Sequence, residues 1–292
     1  MNILITGSNG LLGRNLIYSL GQHNKVYALV RAKNKINFDI NDGIEVIESD
    51  LANFTTDGLP KNIDAIYYLA QSNRFREFPD GANDMLEVNV YTPLRMIDWA
   101  MQNKVKKFIF ASSGGVYTNP NKPVKEFFDI NANEKHGFYL DSKLSAEILL
   151  KNYAQYFETF VIIRPFFMYG KNQNEMMLIP RLIQSVKDGK EILLSGENGI
   201  RINPIYIKDA VQSISKILDM QGEHIINIAG KDIVSLKELA LLIGDILDKK
   251  PLFKYCDNVQ NDLIADIFLM KEKLFSPLVT IEDGLKRLIY SP

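Results

Sequence analysis

The chain has 292 residues, of which 46% are hydrophobic and 24% are charged, an ordinary composition for a globular protein. Its 34 basic and 35 acidic residues leave a net charge of −1, so no global field attracts nucleic acid or a membrane surface, and a small-molecule site is favoured. The single cysteine, Cys256, excludes an internal disulfide and indicates a reducing compartment, which we take to be the cytoplasm. The opening residues MNILITG lack a basic segment, so we expect no signal peptide, and no apolar run reaches membrane-spanning length.

The first half of the chain alternates short apolar runs with longer amphipathic stretches. The apolar runs predict six strands, at Ile3–Thr6, Val26–Val30, Glu45–Glu48, Ala65–Leu69, Lys107–Ala111 and Thr159–Ile163. Helical periodicity is clearest between them, at Leu11–Leu20, Asn83–Gln102 and Tyr139–Tyr156. This alternation predicts an α/β fold with a Rossmann-type, doubly wound parallel sheet.

After residue 165 the pattern becomes less regular. It predicts three helices and one strand, at Ile179–Lys187, Asp209–Leu218, Ser235–Leu247 and Arg201–Ile207. We therefore divide the chain into a Rossmann domain, residues 1–165, and a smaller region built onto it, residues 166–292. The boundary is soft, because later strands can rejoin the first sheet. The polar loop Thr118–Lys135 is placed to border a cleft.

A glycine-rich turn, ITGSNGLLG, leads from the first strand directly into the first helix. Gly7 permits a tight turn, Gly10 lets the backbone approach a pyrophosphate, and Gly13 lets the helix pack close to the strand. The helix N-terminus adds free N–H groups and a positive dipole end for phosphates. The alternative is a plain turn with incidental glycines, but the position between a first strand and a helix favours a dinucleotide site.

The end of the second strand bears on which dinucleotide is bound. Most NAD sites carry an acid there that binds the ribose 2′-hydroxyl, whereas this chain has Arg31, followed by Lys33 and Lys35. A cation suits the 2′-phosphate of NADP, so we expect NADP or NAD with NADP favoured; a solvated basic strand end is the alternative. Asp50, after the third strand, is a candidate acceptor for the adenine amino group, or a loop aspartate that bonds its own turn.

In this order and spacing, the motifs resemble those of the extended short-chain dehydrogenase/reductases, in the NAD(P)-dependent nucleotide-sugar epimerase/dehydratase group. The resemblance covers nearly the whole chain. In the first half, TGSNGLLG resembles the TGxxGxxG turn, SDL (49–51) the acidic adenine-side position, IYYLAQ (66–71) the fourth-strand segment beside the cofactor, and LEVNV (86–90) the xxNV helix. In the second half, FIFASSGGVY (108–117) resembles the strand with the active-site serine, YLDSK (139–143) the YxxxK motif, RPFFMYG (164–170) the RxxNVYG segment, and RINPIYIKDA (201–210) the RDFIHVxDV segment.

The resemblance implies that residues 1–165 bind a dinucleotide and that residues 166–292 mainly bind substrate. The implied cofactor-binding residues are Gly7, Asn9, Gly10, Leu11, Leu12, Gly13, Arg31, Asp50, Leu51, Leu69, Ala70, Gln71, Asn89, Tyr139, Lys143 and Pro165. The implied substrate-binding residues are Ser113, Phe167 and Arg201. In the family, helices such as Asn83–Gln102 and Tyr139–Tyr156 pair in a four-helix interface, which implies a homodimer; burial of their apolar faces within the monomer is the alternative.

The catalytic prediction rests on Ser113, Tyr139 and Lys143. Tyr139 and Lys143 are four residues apart, on one face of a helix. A phenol with a pKa of about 10 is a poor base at neutral pH, and a nearby ammonium lowers that pKa. We therefore assign Tyr139 as acid/base, Lys143 as the group that lowers its pKa and binds the nicotinamide ribose, and Ser113 as the group that orients the substrate oxygen. The alternatives are a strand-end turn for Ser113 and a solvent-facing helix start for the pair.

The activity that the resemblance implies is C4 epimerisation or 4-keto reduction of a nucleotide-activated sugar. Arg31 favours the second reaction, catalysed by a reductase that uses NADP(H). Gly114 and Gly115 stand where dehydratases carry an Asp-Glu pair, which argues against a 4,6-dehydratase. Phe167 and Asn203 replace the asparagine and aspartate common in the family, which leaves the sugar open.

Two further functions stay open. One is reduction of a non-sugar carbonyl, against which Arg201 argues as a residue suited to a phosphate-bearing substrate. The other is a non-catalytic NADP-binding regulator, against which the intact serine, tyrosine and lysine argue. The three histidines have no metal-ligand spacing, so we expect no metal site.

Overall fold

The computed structural model describes residues 1–117, 122–131, 133–134, 136–257 and 261–290. Of the predicted loop Thr118–Lys135, residues 118–121, 132 and 135 lie outside the described residues. The strands of the described part are Asn2–Thr6 (β1), Lys25–Val30 (β2), Ile44–Glu48 (β3), Ala65–Tyr68 (β4), Lys107–Ala111 (β5), Thr159–Pro165 (β6), Glu191–Ser195 (β7), Arg201–Ile202 (β8), Gly222–Ile228 (β9), Val234–Ser235 (β10) and Leu252–Cys256 (β11).

Seven of these described strands form one sheet in the order β3-β2-β1-β4-β5-β6-β9, with every neighbouring pair parallel. The chain reverses its direction of progress between β1 and β4, so the carboxyl ends of β1, β4 and β5 meet at one edge, where ligands bind in open α/β sheets. Two small sheets lie outside it: an antiparallel pair of β8 with β10 and a parallel pair of β7 with β11.

The helices of the described part are Leu11–Leu20 (α1), Ala82–Leu86 (α2), Thr92–Gln102 (α3), Phe138–Leu150 (α4), Leu178–Asp188 (α5), Ile207–Ser215 (α6), Leu236–Leu247 (α7), Phe268–Lys273 (α8) and Ile281–Tyr290 (α9). A π-helical turn, Glu87–Tyr91, joins α2 to α3, and a 3₁₀ segment, Lys151–Tyr156, extends α4. None of these helices is long and apolar enough to cross a membrane.

Apolar packing covers both faces of the main sheet. On one face, α1 and α6 contribute buried side chains such as Leu16 and Ile214 to the largest core cluster. On the other, α3 and α4 contribute Ile97 and Leu150 to a second cluster. Each fully buried aliphatic side chain of this kind stabilises the fold by about 1.5–3 kcal/mol. The two layers hold the carboxyl edge of the sheet rigid, and the candidate site lies along that edge.

The structure differs from the predicted elements in the second half of the chain. Gly222–Ile228 joins the main sheet as its last strand, beside β6, and the sequence did not single it out. The predicted strand Arg201–Ile207 is wrong beyond Ile202. Pro204 has no N–H for a ladder, and the buried side chain of Asn203 bonds the backbone of Ala265 through both its oxygen and its nitrogen, so the chain leaves the strand there.

Candidate active site

The turn after β1 has the tight geometry that its glycines permit. Gly7 lies at φ +68°, and a Cβ added to it would come within 2.9 Å of the Ala70 nitrogen. A Cβ on Gly13 would lie 2.2 Å from the Gly7 carbonyl oxygen, so only glycine allows α1 to start this close to the strand. The Gly10 N–H closes the turn on the same carbonyl at 2.9 Å.

The N-terminus of α1 is suited to an anion. Gly10 precedes the helix and provides no side-chain cap, so the first helical N–H groups, those of Leu11, Leu12 and Gly13, are left for an external acceptor. Asn9 fastens the turn to the segment after β2, because its side chain donates to the Lys35 carbonyl at 3.1 Å. This cradle of glycines and free N–H groups fits the pyrophosphate of NAD(P).

Arg31 and Asp50 lie side by side at the ends of β2 and β3. The Arg31 Nε is 3.6 Å from an Asp50 carboxylate oxygen, and the two side chains are 54% and 42% exposed. Asp50 also accepts bonds from the Ala52 N–H and the Asn53 side chain, so the turn-bonding alternative considered above is present in the structure. Arg31 nevertheless keeps an open face toward solvent at this edge.

The loop after β4 is anchored from both sides of the sheet. Thr6 accepts the N–H groups of Leu69 and Ala70, each at 3.1 Å. Lys143 donates to the carbonyls of Ala70, at 3.3 Å, and Ala111, at 2.9 Å. The lysine thus joins the ends of β4 and β5, between which the predicted site lies.

Lys143 is almost completely buried, and burial lowers the pKa of its ammonium to about 7. The carboxylate of Glu147, one turn further along α4, partly offsets this effect, because an opposite charge favours the protonated amine. The protonation of Lys143 is therefore poised near neutral pH.

Tyr139 is partly buried, and its hydroxyl donates a hydrogen bond of 2.8 Å to the side-chain oxygen of Gln71. Burial raises the pKa of Tyr139 to about 12, while a hydrogen bond with Ser113 lowers it in part. Lys143 is not among the groups that shift this pKa in the structure, so its predicted role in lowering the pKa of Tyr139 remains a prediction. The lysine amine donates to the Ala70 and Ala111 carbonyls.

Ser113 follows β5 and precedes two tightly packed glycines. Its hydroxyl oxygen accepts the Gly115 N–H at 3.1 Å, which leaves the hydroxyl proton free for Tyr139. A Cβ on Gly114 would lie 2.5 Å from the buried ring of Phe166, and one on Gly115 would lie 2.9 Å from Leu140. An Asp-Glu pair does not fit here without displacing that ring.

Asn89 lies in the π-helical turn and is fully buried. Its oxygen accepts the Ser72 N–H and its nitrogen donates to the Ser142 hydroxyl, each at 3.0 Å. It therefore ties the loop after β4 to the helix that carries Tyr139. Close by, the carbonyl of Leu51 accepts a 2.6 Å bond from Thr92, which holds the end of β3 against α3.

The remaining predicted residues come from the second half of the chain. Pro165 ends β6 in register with Ile228 of the last strand. Phe167 adopts φ +42°, a left-handed conformation that is uncommon for a bulky residue and is typical of constrained sites. Arg201 lies on β8 and is held by Asp262, with its Nη2 2.6 Å from the carboxylate, while its side chain stays 60% exposed. The structure thus brings Ser113, Tyr139 and Lys143 together and places Arg201 on a separate small sheet.

Comparison with known proteins agrees with this arrangement. The family model described as the NAD dependent epimerase/dehydratase family matches residues 3–229. The chain belongs to this family. The predicted family and the predicted α/β, Rossmann-type fold are confirmed.

Relatives within the epimerase/dehydratase family match almost end to end. The chain is 26% identical over 306 residues to an uncharacterized UDP-glucose epimerase of Bacillus subtilis, covering 98% of this chain and 96% of the relative. It is 27% identical over 329 residues to a dTDP-4-dehydro-6-deoxyglucose reductase of Escherichia coli, covering 99% and 96%. Among solved structures, a UDP-glucuronic acid 4-epimerase from Bacillus cereus, in complex with UDP-4-deoxy-4-fluoro-glucuronic acid and NAD, has a TM-score of 0.86 at 24% identity, covering 98% and 97%.

Three residues of this epimerase/dehydratase site escaped the sequence reasoning: Thr6, Ser72 and Ser142. Thr6 directly precedes the glycine turn, and Ser142 lies inside the YLDSK motif, so proximity to a motif was the available signal. Their partners are 17 to 64 residues away in the chain, which no local pattern reveals. Within the described residues, no group of three or more His, Cys, Asp or Glu side chains is arranged to hold a metal ion.

Proposed function

We propose that this protein binds NADP or NAD and catalyses C4 epimerisation or 4-keto reduction of a nucleotide-activated sugar. The observation that carries the proposal is the meeting of Ser113, Tyr139 and Lys143 beside the glycine turn. Ser113 lies close enough to Tyr139 to lower the pKa of its phenol, and Lys143 bridges the adjacent loop. The B. subtilis and E. coli relatives, named as an epimerase and a reductase of nucleotide-linked sugars, support this substrate class.

The glycine turn and the first N–H groups of α1 would hold the pyrophosphate, and Arg31 and Asp50 lie where the adenosine end would be bound. When bound, the nicotinamide supplies or accepts the hydride. Ser113 orients the substrate oxygen through its hydroxyl, and Tyr139 transfers a proton at that oxygen. Lys143 fixes the loop after β4 and would hold the ribose hydroxyls.

The raised pKa of Tyr139 favours the acid role. A phenol with a pKa of about 12 stays protonated at neutral pH and is ready to give its proton to a carbonyl oxygen that is being reduced. Oxidation of an alcohol requires Tyr139 to act as a base, and a positive charge near the phenol is needed to stabilise the phenolate form. Lys143 supplies such charge only while its amine, with a pKa of about 7, is protonated. Arg31, which suits the 2′-phosphate of NADP, supports a net ketoreductase over an epimerase.

The decisive experiment compares the wild type with Tyr139→Phe. With NADPH and a nucleotide-linked 4-keto sugar, we expect the variant to lose about 10²–10⁴-fold in kcat while its cofactor affinity is unchanged. Full activity of Tyr139→Phe would overturn the catalytic assignment of Tyr139, whereas cofactor binding without any turnover by the wild type would favour a regulator. If the purified wild type instead carries tightly bound NAD and consumes no NADPH, the reductase reaction fails and the epimerase reaction stands.

We propose NADP as the preferred cofactor because Arg31 presents an exposed guanidinium where an acid would bind the ribose of NAD. Arg31→Ala should weaken NADP binding by about tenfold, the value of one charge-assisted contact, and leave NAD binding nearly unchanged. Isothermal titration with both cofactors measures this ratio. Lys25→Ala, which removes an exposed cation at the opposite end of β2, is the matched control. Equal losses for NAD and NADP would contradict the preference.

Reduction of a non-sugar carbonyl is the second candidate, because the Arg201 guanidinium is already paired with Asp262 through Nε and Nη2 and shares its charge with that carboxylate. Arg201→Ala distinguishes the two. A marked rise in KM for a nucleotide sugar supports the first function. An unchanged KM removes the main sequence argument for a nucleotide-linked substrate.

We also propose a homodimer in the cytoplasm. Exposed apolar side chains support pairing with a second copy: Tyr91 in the π-helical turn before α3, Ile148 and Leu149 on α4, and Tyr156 in its 3₁₀ extension. Sedimentation should show a dimer that Ile148→Glu converts to a monomer. A wild-type monomer at micromolar concentration would contradict the dimer.

The cytoplasmic location is supported by the single cysteine, Cys256, since one cysteine cannot form an internal disulfide and suits a reducing compartment.

A further inference from the structure

The backbone around Gln71 is anchored on both sides. The residue before it, Ala70, donates its N–H to Thr6 at 3.1 Å, and the residue after it, Ser72, donates to the buried Asn89 at 3.0 Å. The backbone at Gln71 is therefore held by the buried side chains of Thr6 and Asn89. Its oxygen lies 2.8 Å from the Tyr139 hydroxyl.

The hydrogen bonds at this place have defined directions. The Gly115 N–H donates to the Ser113 oxygen at 3.1 Å, and the Tyr139 hydroxyl donates to the Gln71 oxygen at 2.8 Å. Ser113 lies close enough to Tyr139 to lower the pKa of its phenol. The ring of Phe75, with its centroid 5.4 Å from that of Tyr139, closes the side of the phenol. An acceptor for the phenol O–H favours the neutral phenol, because the phenolate has no proton to donate.

We propose that Gln71 is a positioning residue for Tyr139, whose carboxamide oxygen holds the phenol hydroxyl in one orientation and keeps its proton in place until the substrate oxygen takes it. The inference rests on the proposed function of Tyr139 and goes beyond it, since it assigns a partner that sets when the proton leaves. Gln71 was expected to contact the cofactor through its place in the loop after β4. The structure directs its side-chain oxygen to the tyrosine.

The test is an alkaline titration of tyrosinate absorbance. Subtracting the curve of the matching Tyr139→Phe protein isolates Tyr139 from the other tyrosines, since the chain has 13. Gln71→Met keeps the size of the side chain and removes the acceptor, so the Tyr139 midpoint should fall by about one pH unit, a tenfold change in ionisation. Gln71→Glu places a negative charge beside the phenol and should raise the midpoint. Gln102→Met, on the exposed face of α3, should leave it unchanged.

The proposal is overturned if both Gln71 variants leave the midpoint unchanged, or if Gln71→Met raises it, as an amide that donated to the phenol oxygen would require. Circular dichroism shows whether each variant is folded, and if Gln71→Met does not fold, Gln71→Glu carries the test alone. The readout needs no substrate, so it is separate from the proposed function. A shifted midpoint together with a fully active Tyr139→Phe enzyme would keep the contact and reject the catalytic role.

The pH dependence of kcat in the same variants gives a second test, in the direction of carbonyl reduction. For a reductase, Gln71→Met should move the alkaline limb of the kcat profile to lower pH by the shift found in the titration, because the phenol loses its proton earlier. A change in KM with an unmoved pH profile would identify Gln71 as an ordinary binding residue and contradict the positioning role.

Discussion

The ion pair between Glu147 and Arg164 allows the sharpest stability prediction. It is bidentate, with Nε to Oε1 at 3.0 Å and Nη2 to Oε2 at 2.5 Å, and the side chains of Arg164 and Glu147 are only 3% and 1% exposed. Arg164 lies on β6, and Glu147 lies on α4, one turn beyond Lys143. The pair therefore fastens the helix that carries Tyr139 to the sheet.

Removal of either charge leaves the other buried without a counter-ion. We expect Glu147→Gln and Arg164→Met each to lower the free energy of unfolding by about 3–5 kcal/mol, and the double variant to cost clearly less than their sum. The exposed pair Lys106–Glu158, with side chains 58% and 55% exposed, is the matched control, and Lys106→Met should cost at most about 1 kcal/mol.

Urea unfolding followed by circular dichroism measures all four variants. The reasoning is refuted if the single variants cost no more than the surface control, or if the double variant costs the full sum. Glu147→Gln has a second readout. Because Glu147 raises the pKa of Lys143, its removal should lower that pKa further below 7.

Three further outcomes are expected. Burial lowers the pKa of Lys143 from the ordinary lysine value to about 7, so between these two pH values the unfolded chain binds more protons than the native one. The free energy of unfolding should therefore rise with pH above neutrality by up to about 1.4 kcal/mol per pH unit. Lys143→Met should flatten that rise, as measured by urea unfolding at several pH values. Gly114→Ala should lower stability by about 1–3 kcal/mol, because its Cβ would meet the Phe166 ring; an unchanged urea midpoint would contradict this. Gly13→Ala should weaken NADP binding by at least about tenfold in a calorimetric titration, because its Cβ would push α1 away from Gly7; intact affinity would show that the turn tolerates the shift.

Local periodicity made much of the fold predictable. Strands such as Ile3–Thr6 and the helix Leu11–Leu20 are buried on the faces that their apolar residues indicate, so a short window contains their signal. The last strand is different. Gly222–Ile228 begins with polar, partly exposed residues, and its partner β6 lies some 60 residues earlier, so only tertiary pairing reveals it.

The candidate site shows the same division. The spacing of Tyr139 and Lys143 predicted that both lie on one helix, and the structure agrees. Spacing could not show which acceptors would take the lysine amine, and the carbonyls of Ala70 and Ala111 do so. Nor could it show that Gln71 would meet the phenol. The pKa of Tyr139 depends on those contacts, which lie far apart in the sequence.

The π-helical turn at Glu87–Tyr91 has a consequence for how this protein can vary. A π turn holds one residue more than an α turn, so the helix behaves as though one residue had been inserted into it. Deleting a single residue there would restore a regular helix, but it would rotate the preceding turns relative to the following ones by about 100°. Asn89 could then no longer reach both Ser72 and Ser142. Homologues in which Asn89 joins the loop after β4 to α4 should therefore keep the extra residue of the π turn, even where they act on different sugars.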